Sequence, residues 1–360
     1  MRGIGVLPGQ RLAMVDHLVP LCHLMDIPLL CTDRWTHDLI EIFYPFSRSI
    51  FEEAPDFSLQ NALNTYDLFF YVDLHRYPHH FFQFYDYTYR GKARSVCGLH
   101  GCSDKKRHHF WAERYANEDV VLIYGRHMQE FIEEKSAWQR LKKIIFTGNF
   151  RYQYYKEYRE FFDKKYASFL FPDTGRKTLL YAPTWTSPKK KKEGGLDHTS
   201  AFEAHPFILD SIPEEYQVIV KFHPLVHLLY PEEIENLKLR YGDSEQVLFF
   251  DNLPLIYPLL SKVDIYVGDY SSIGYDFLTF DRPLFFFNEY NRFPETDKGV
   301  QLFQCGTPIS PADYSKFYLK IERGLKQDHH SLRKYMYDYA FGDEKSLPTL
   351  KREIEEALLR

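Results

Sequence analysis

Four short segments carry residues able to do phosphoryl chemistry: His100-Gly101 with Lys105 and Lys106 close behind, Pro183-Thr184-Trp185-Thr186, Lys221-Phe222-His223-Pro224, and Gly268-Asp269-Tyr270-Ser271-Ser272-Ile273-Gly274. A histidine titrates near neutrality, so it can take a proton from a hydroxyl, and lysines beside it can hold phosphate or screen developing charge. Gly101 permits close backbone approach. Ser271 and Ser272 open a helical-looking stretch, where free backbone N–H groups and the helix dipole attract an anion, and phosphate is the guest that fits. Each segment also has a plainer reading. A lone His100 or His223 is more often a hydrogen-bonded structural residue, and a serine in an isolated Asp-Tyr-Ser-Ser more often caps its helix.

Position changes those odds, because every one of these segments follows an apolar run of strand length. In the first half such runs occupy 3–7, 28–31, 68–72, 95–99, 120–124 and 144–146, and in the second half 178–182, 217–222, 247–250, 265–267 and 284–287. Longer mixed segments separate them. This rhythm predicts βα units around parallel sheets, hence an α/β chain of two doubly wound, Rossmann-like domains facing a central cleft. Ligands of such sheets bind beyond the carboxyl ends of the strands, so the four segments should meet there, one histidine from each half. The expected domains are 1–150 and 151–330, joined through the Tyr-, Lys- and Glu-rich stretch 150–171. A helical tail, 331–360, should follow, with Leu350, Ile354 and Leu358 on one face.

Composition narrows the partners. The 360 residues, 44% hydrophobic and 26% charged, can fill more than one core. Forty-five Lys and Arg against fifty Asp and Glu give a net charge of −5, which argues against nucleic acid as a partner. An aromatic share of 18% with 28 tyrosines suits partly wet surfaces between domains as well as cores. Five cysteines without a CxxC pair indicate neither a disulfide framework nor a zinc ribbon, and fit reduced thiols in the cytosol. The pairs His79-His80, His108-His109 and His329-His330 lack partners at metal spacing, so no metal or other cofactor is expected. Neither GxxxxGK[ST] nor GxGxxG stands at a strand-to-helix junction. The apolar run at the N-terminus is too short for a signal peptide, and no stretch approaches a membrane span.

Taken together, HGCSDKK (His100 to Lys106), YAPTW (Tyr181 to Trp185), KFHP (Lys221 to Pro224) and VDIYVGDYSSIGYDF (Val263 to Phe277) resemble the CDP-glycerol glycerophosphotransferase family, the teichoic-acid primases and polymerases of GT-B fold. RPLFFFNEYNRF (Arg282 to Phe293) is similar to that family's continuation. The resemblance implies a GT-B architecture and transfer of glycerol phosphate, or a related polyol phosphate, from a CDP-activated donor to an acceptor hydroxyl, a lipid-linked one included, with release of CMP. It implies that His100 is the acceptor-side base and that His223 contacts the donor pyrophosphate and assists the departing CMP. Gly101, Lys105, Thr184, Lys221, Asp269, Ser271 and Ser272 would hold the donor's phosphates. A cytoplasmic protein, touching at most the inner face of the cell membrane, and a priming or single-transfer enzyme rather than a processive one are the corresponding expectations. Departures from the family's usual pattern are Leu99 for Trp, Thr186 for Arg, Gly268 for Thr, and Cys102-Ser103-Asp104 for a Pro-containing turn. Two other readings share this shell: a nucleotide-sugar glycosyltransferase or epimerase with its diphosphate at the same serine turn, and a non-catalytic nucleotide-binding protein, against which the intact His100 and His223 argue.

Overall fold

The computed structural model describes residues 2–53, 55–72, 93–104, 115–135, 137–185, 199–251 and 253–359, so Lys105, Lys106, Thr186, His79-His80 and His108-His109 lie outside the described residues. The first half forms a seven-stranded sheet from β1 (Gly3–Leu7), β2 (Leu29–Cys31), β3 (Ser49–Phe51), β4 (Leu68–Val72), β5 (Arg94–Gly98), β6 (Val120–Ile123) and β7 (Ile144–Phe146). Its order is β3-β2-β1-β4-β5-β6-β7, with every neighbouring pair parallel. The second half builds a six-stranded sheet from β8 (Lys177–Ala182), β9 (Tyr216–Val220), β10 (Val247–Phe249), β11 (Ile265–Gly268), β12 (Leu284–Phe287) and β13 (Thr307–Ile309). The order there is β10-β9-β8-β11-β12-β13, again all parallel.

Parallel strands covered on both faces need apolar residues at every position, which is why β4 reads LFFYV and β12 reads LFFF, all buried. Alternation then sorts the side chains: in β8, Leu180 and Ala182 join a core that runs on into the first sheet, whereas Leu179 and Tyr181 fill the core on the opposite face. Strand order reverses between β1 and β4, and between β8 and β11, and these switch points open the crevices where ligands of such sheets sit.

The stretch 150–171 forms two helices, Phe150–Glu157 and Arg159–Tyr166, the first capped by the Asn149 side chain, which accepts from the Tyr152 N–H. From the far end of the chain, helices His330–Phe341 and Leu347–Leu359 return to the first sheet. The former packs on helix Arg126–Glu134, where Gly125 lies so near that a Cβ would stand 2.6 Å from the Ala340 carbonyl oxygen. The latter buries Leu350, Ile354 and Leu358 and receives hydrogen bonds from Arg94 and Lys143 on its last carbonyls.

Tyrosine serves here both inside the cores and where the two halves meet. Tyr71, Tyr166, Tyr181, Tyr257 and Tyr275 are all buried, and each hydroxyl finds an internal partner, in Glu118, the Leu255 N–H, the Ser200 carbonyl, Asn149 and Asp104 respectively. Among the described residues, no helix is long and apolar enough to cross a membrane.

Candidate active site

The loop after β5 begins with buried Leu99 and half-buried His100 and turns at Gly101, whose φ of +66° lies in the left-handed region that favours glycine. Gly101 is required for a second reason: a Cβ there would stand 3.1 Å from Cβ and 3.2 Å from Oγ of Ser272. The His100 loop of one sheet and the serine turn of the other therefore meet backbone to side chain, with nothing between. Gly101→Ala should cost about 1–2 kcal/mol from the left-handed backbone alone. Chemical denaturation measures this, and an unchanged midpoint would mean that the two loops part freely.

Ser271 is buried and Ser272 half-buried at the start of helix Ile273–Phe277. Ser272 makes no side-chain cap, and Ser271 Oγ accepts from the Ile273 N–H only at 3.5 Å, so capping is not what these hydroxyls chiefly do. Asp269, 1% exposed, directs its carboxylate inward: it accepts from the Thr184 N–H at 2.7 Å and from the Ser200 N–H and hydroxyl at 2.9 Å each. Facing those donors, Asp269 ties the loop after β8 to the serine turn. The Thr184 carbonyl accepts from Thr199 Oγ1 at 2.6 Å, which fixes the same loop from its other side.

Next along this loop, the Trp185 ring lies 5.9 Å from that of His223. His223 caps helix Pro224–Leu229 with Nδ1, which accepts the Leu225 N–H at 3.1 Å. A ring nitrogen that accepts cannot carry the proton, so Nε2 carries it and is a donor. Lys221 precedes it; burial pulls its ammonium below the usual lysine range, against the opposing pull of Asp251 and Asp16. An anion beside such a lysine recovers part of the lost solvation. Contacts thus run unbroken from His100 and Gly101 through Ser272, Asp269, Thr184 and Trp185 to His223, across the ends of β5, β11, β8 and β9. Of the expected site residues, Lys105 alone falls outside the described residues.

Two buried clusters fasten this row from beneath, and both grip the short helix behind the serines. Arg151 donates Nη1 to Asp16 at 2.8 Å, Nη2 to Asp276, and Nε to the Tyr124 hydroxyl at 2.9 Å. One residue earlier on that helix, the Tyr275 hydroxyl donates to Asp104 at 2.6 Å; His127 Nε2 lies 3.0 Å from the same carboxylate, and the Leu302 N–H reaches its other oxygen at 2.9 Å. From the sequence alone, none of these residues was assigned a supporting role. The available signal was Asp16-His17, a polar pair inside the apolar helix Leu12–Leu24, where burial is tolerated only with partners.

Residues 97–302, more than half of the chain, match the family described as CDP-Glycerol:Poly(glycerophosphate) glycerophosphotransferase. The chain belongs to this family. A teichoic acid glycerol-phosphate primase of Bacillus spizizenii is 27% identical over 225 residues, which cover 58% of this chain and 53% of that protein. The chain spans about half or less of the length of the curated relatives it matches. The wall teichoic acid polymerase TagF has a similar structure, with a TM-score of 0.65 at 14% identity over 99% of this chain and 90% of that one. The S. aureus MnaA–UDP structure reaches 0.64 at 10% identity, covering 100% and 97%. These likenesses make the fold GT-B. The family match contains His100, Thr184, His223 and the serine turn, and it stops short of Asp16 and His17. At Gly268, a Cβ would stand 2.2 Å from the Tyr266 hydroxyl. Tyr266 fills that space, its hydroxyl 3.4 Å from the Ala182 carbonyl oxygen.

Proposed function

We propose that this family member transfers glycerol phosphate, or a related polyol phosphate, from a CDP-activated donor to an acceptor hydroxyl and releases CMP. The observation that carries the reading is the meeting of Gly101 with Ser272, which puts a histidine-bearing loop of one sheet against an anion-suited turn of the other. In the reaction, His100 takes the acceptor proton while the acceptor oxygen bonds to the phosphorus next to the polyol, and the bond from that phosphorus to the bridging oxygen of CMP breaks. His223, with its proton on Nε2, donates to the pyrophosphate and to the charge that grows on departing CMP. Ser271, Ser272, Gly101, Thr184 and Lys221 hold the phosphates, Lys105, five positions after His100 in the sequence, adds charge, and Asp269 acts by holding the loop of Thr184.

A lipid-linked acceptor, which would draw the protein to the inner face of the membrane, belongs to the same proposal; vesicle flotation with and without acceptor tests it. For the donor, calorimetry with CDP, CMP, UDP and GDP should show the cytidine nucleotides binding tightest. Tighter UDP or GDP would overturn the cytidine assignment and favour a nucleotide-sugar enzyme. His223→Ala should weaken CDP binding by about 1.5–3 kcal/mol, the worth of a hydrogen bond to a charged group, and lower turnover as well. Unaltered CDP affinity in that variant would place the pyrophosphate elsewhere.

A further inference from the structure

A third histidine stands at the cleft. His17, 7% exposed on helix Leu12–Leu24, lies with its ring centroid 6.2 Å from that of His100, the two planes at 87°. Its Cε1 is 4.0 Å from where a Cβ of Gly101 would be. The neighbouring ring nitrogen is tied down, with Nδ1 2.5 Å from the Tyr124 hydroxyl.

The direction of that bond follows from Arg151. A guanidinium has no acceptor, so its Nε–H must donate, and the Tyr124 oxygen takes that hydrogen bond at 2.9 Å. The hydroxyl has one proton to give, and His17 Nδ1 is the acceptor in reach. With that hydroxyl donating to it, Nδ1 carries no proton, and the one proton of the neutral ring sits on Nε2. A second proton on this ring would set an N–H against a hydroxyl already committed by the Arg151 cation. Asp16 and Asp276 hold that cation in place, one on each terminal nitrogen, and the Tyr257 hydroxyl lies 3.4 Å from Asp276.

We propose that His17 is a positioning residue for His100: a neutral imidazole, oriented by Tyr124 and Arg151, that fixes the ring of the acceptor-side base edge to face. This rests on the role given to His100 under the proposed function. His17 precedes the residues matched by the family, so the device belongs to the half of the cleft that the motifs do not cover.

Two measurements decide it. Nitrogen-15 spectra of histidine-labelled protein at pH 7, with His17 assigned by its loss in His17→Phe, should show a neutral ring protonated at Nε2. In Tyr124→Phe that pattern should disappear and the His100 signals should move. An imidazolium, an Nδ1–H tautomer or unmoved His100 signals would overturn the inference, and none of these readings requires activity. In the second measurement, His17→Phe and Tyr124→Phe should each lower kcat about tenfold with CDP affinity unchanged, and the double variant should be no slower than His17→Phe, because both act through one path. Full kcat in His17→Phe beside an active wild type and an inactive His100→Ala overturns the positioning role alone. A wild type that releases no CMP from CDP-glycerol strikes at the proposed function, and the spectra then decide the state of His17 independently.

Discussion

Replacing His100 by alanine should lower turnover roughly 10²- to 10⁴-fold and leave the affinity for CDP nearly unchanged, the size expected when a positioned proton acceptor is lost. The split between binding and chemistry follows from where the residues stand. His100 hangs from β5 in the first sheet, whereas Thr184, Lys221, His223 and the serine turn follow strands of the second. Under the proposed function, removing an imidazole from one side leaves the donor's phosphates their partners on the other. His100 is half-buried and follows its strand rather than filling it, so the melting temperature should hold. Full activity in this variant, or loss of activity only through unfolding, would strip His100 of its role as base.

Arg151→Met should cost about 3–5 kcal/mol near pH 8, because it leaves two interior carboxylates, Asp16 and Asp276, without their cation. Burial already pushes the Asp16 carboxyl up to about 6 and raises that of Asp276, while Arg151 opposes the rise in both. A carboxyl raised in the folded state holds its proton more tightly than in the unfolded chain. For Asp16, this favourable contribution is full below the ordinary value of 3.8 and is lost as pH climbs through about 6. Without Arg151 both carboxyls rise further, and the loss extends to higher pH. The variant should therefore lie closer to wild type at pH 5 than at pH 8 in urea unfolding. Equal destabilisation at both pH values would mean that these carboxylates find other partners when the arginine goes.

Both sheets were legible because fully covered parallel strands write themselves as unbroken apolar runs: 3–7, 68–72 and 284–287 appear as β1, β4 and β12 with the boundaries expected. What escaped notice were β3 and β13, three residues each at sheet edges. Half-covered Ser49-Ile50-Phe51 does not need to be wholly apolar, and Thr307-Pro308-Ile309 carries a proline that only an edge strand accepts. The strand-end residues of the site could be read for the same reason the strands could. Their supports were harder to read, since Asp16 and Arg151, and Asp104 and His127, lie far apart in sequence and meet Asp276 and Tyr275 only where the two halves cross. Asp269 shows the limit of residue type as a guide: its neighbourhood was plain, but the direction of its carboxylate depended on the Thr184 and Ser200 N–H groups, which sequence does not place.

The return of the last two helices to the first sheet sets an order on how the molecule is made. As the polypeptide leaves the ribosome, β1 to β7 emerge complete while the surfaces that Ala340, Leu350, Ile354 and Leu358 will cover remain bare. The second sheet, formed later, can close first, and the earlier half must wait for the final thirty or so residues to dock. A nascent chain stalled short of residue 330 should therefore expose the flank of helix Arg126–Glu134 to chaperones and proteases, and fragments ending near residue 150 should be poor substitutes for the first half of the molecule.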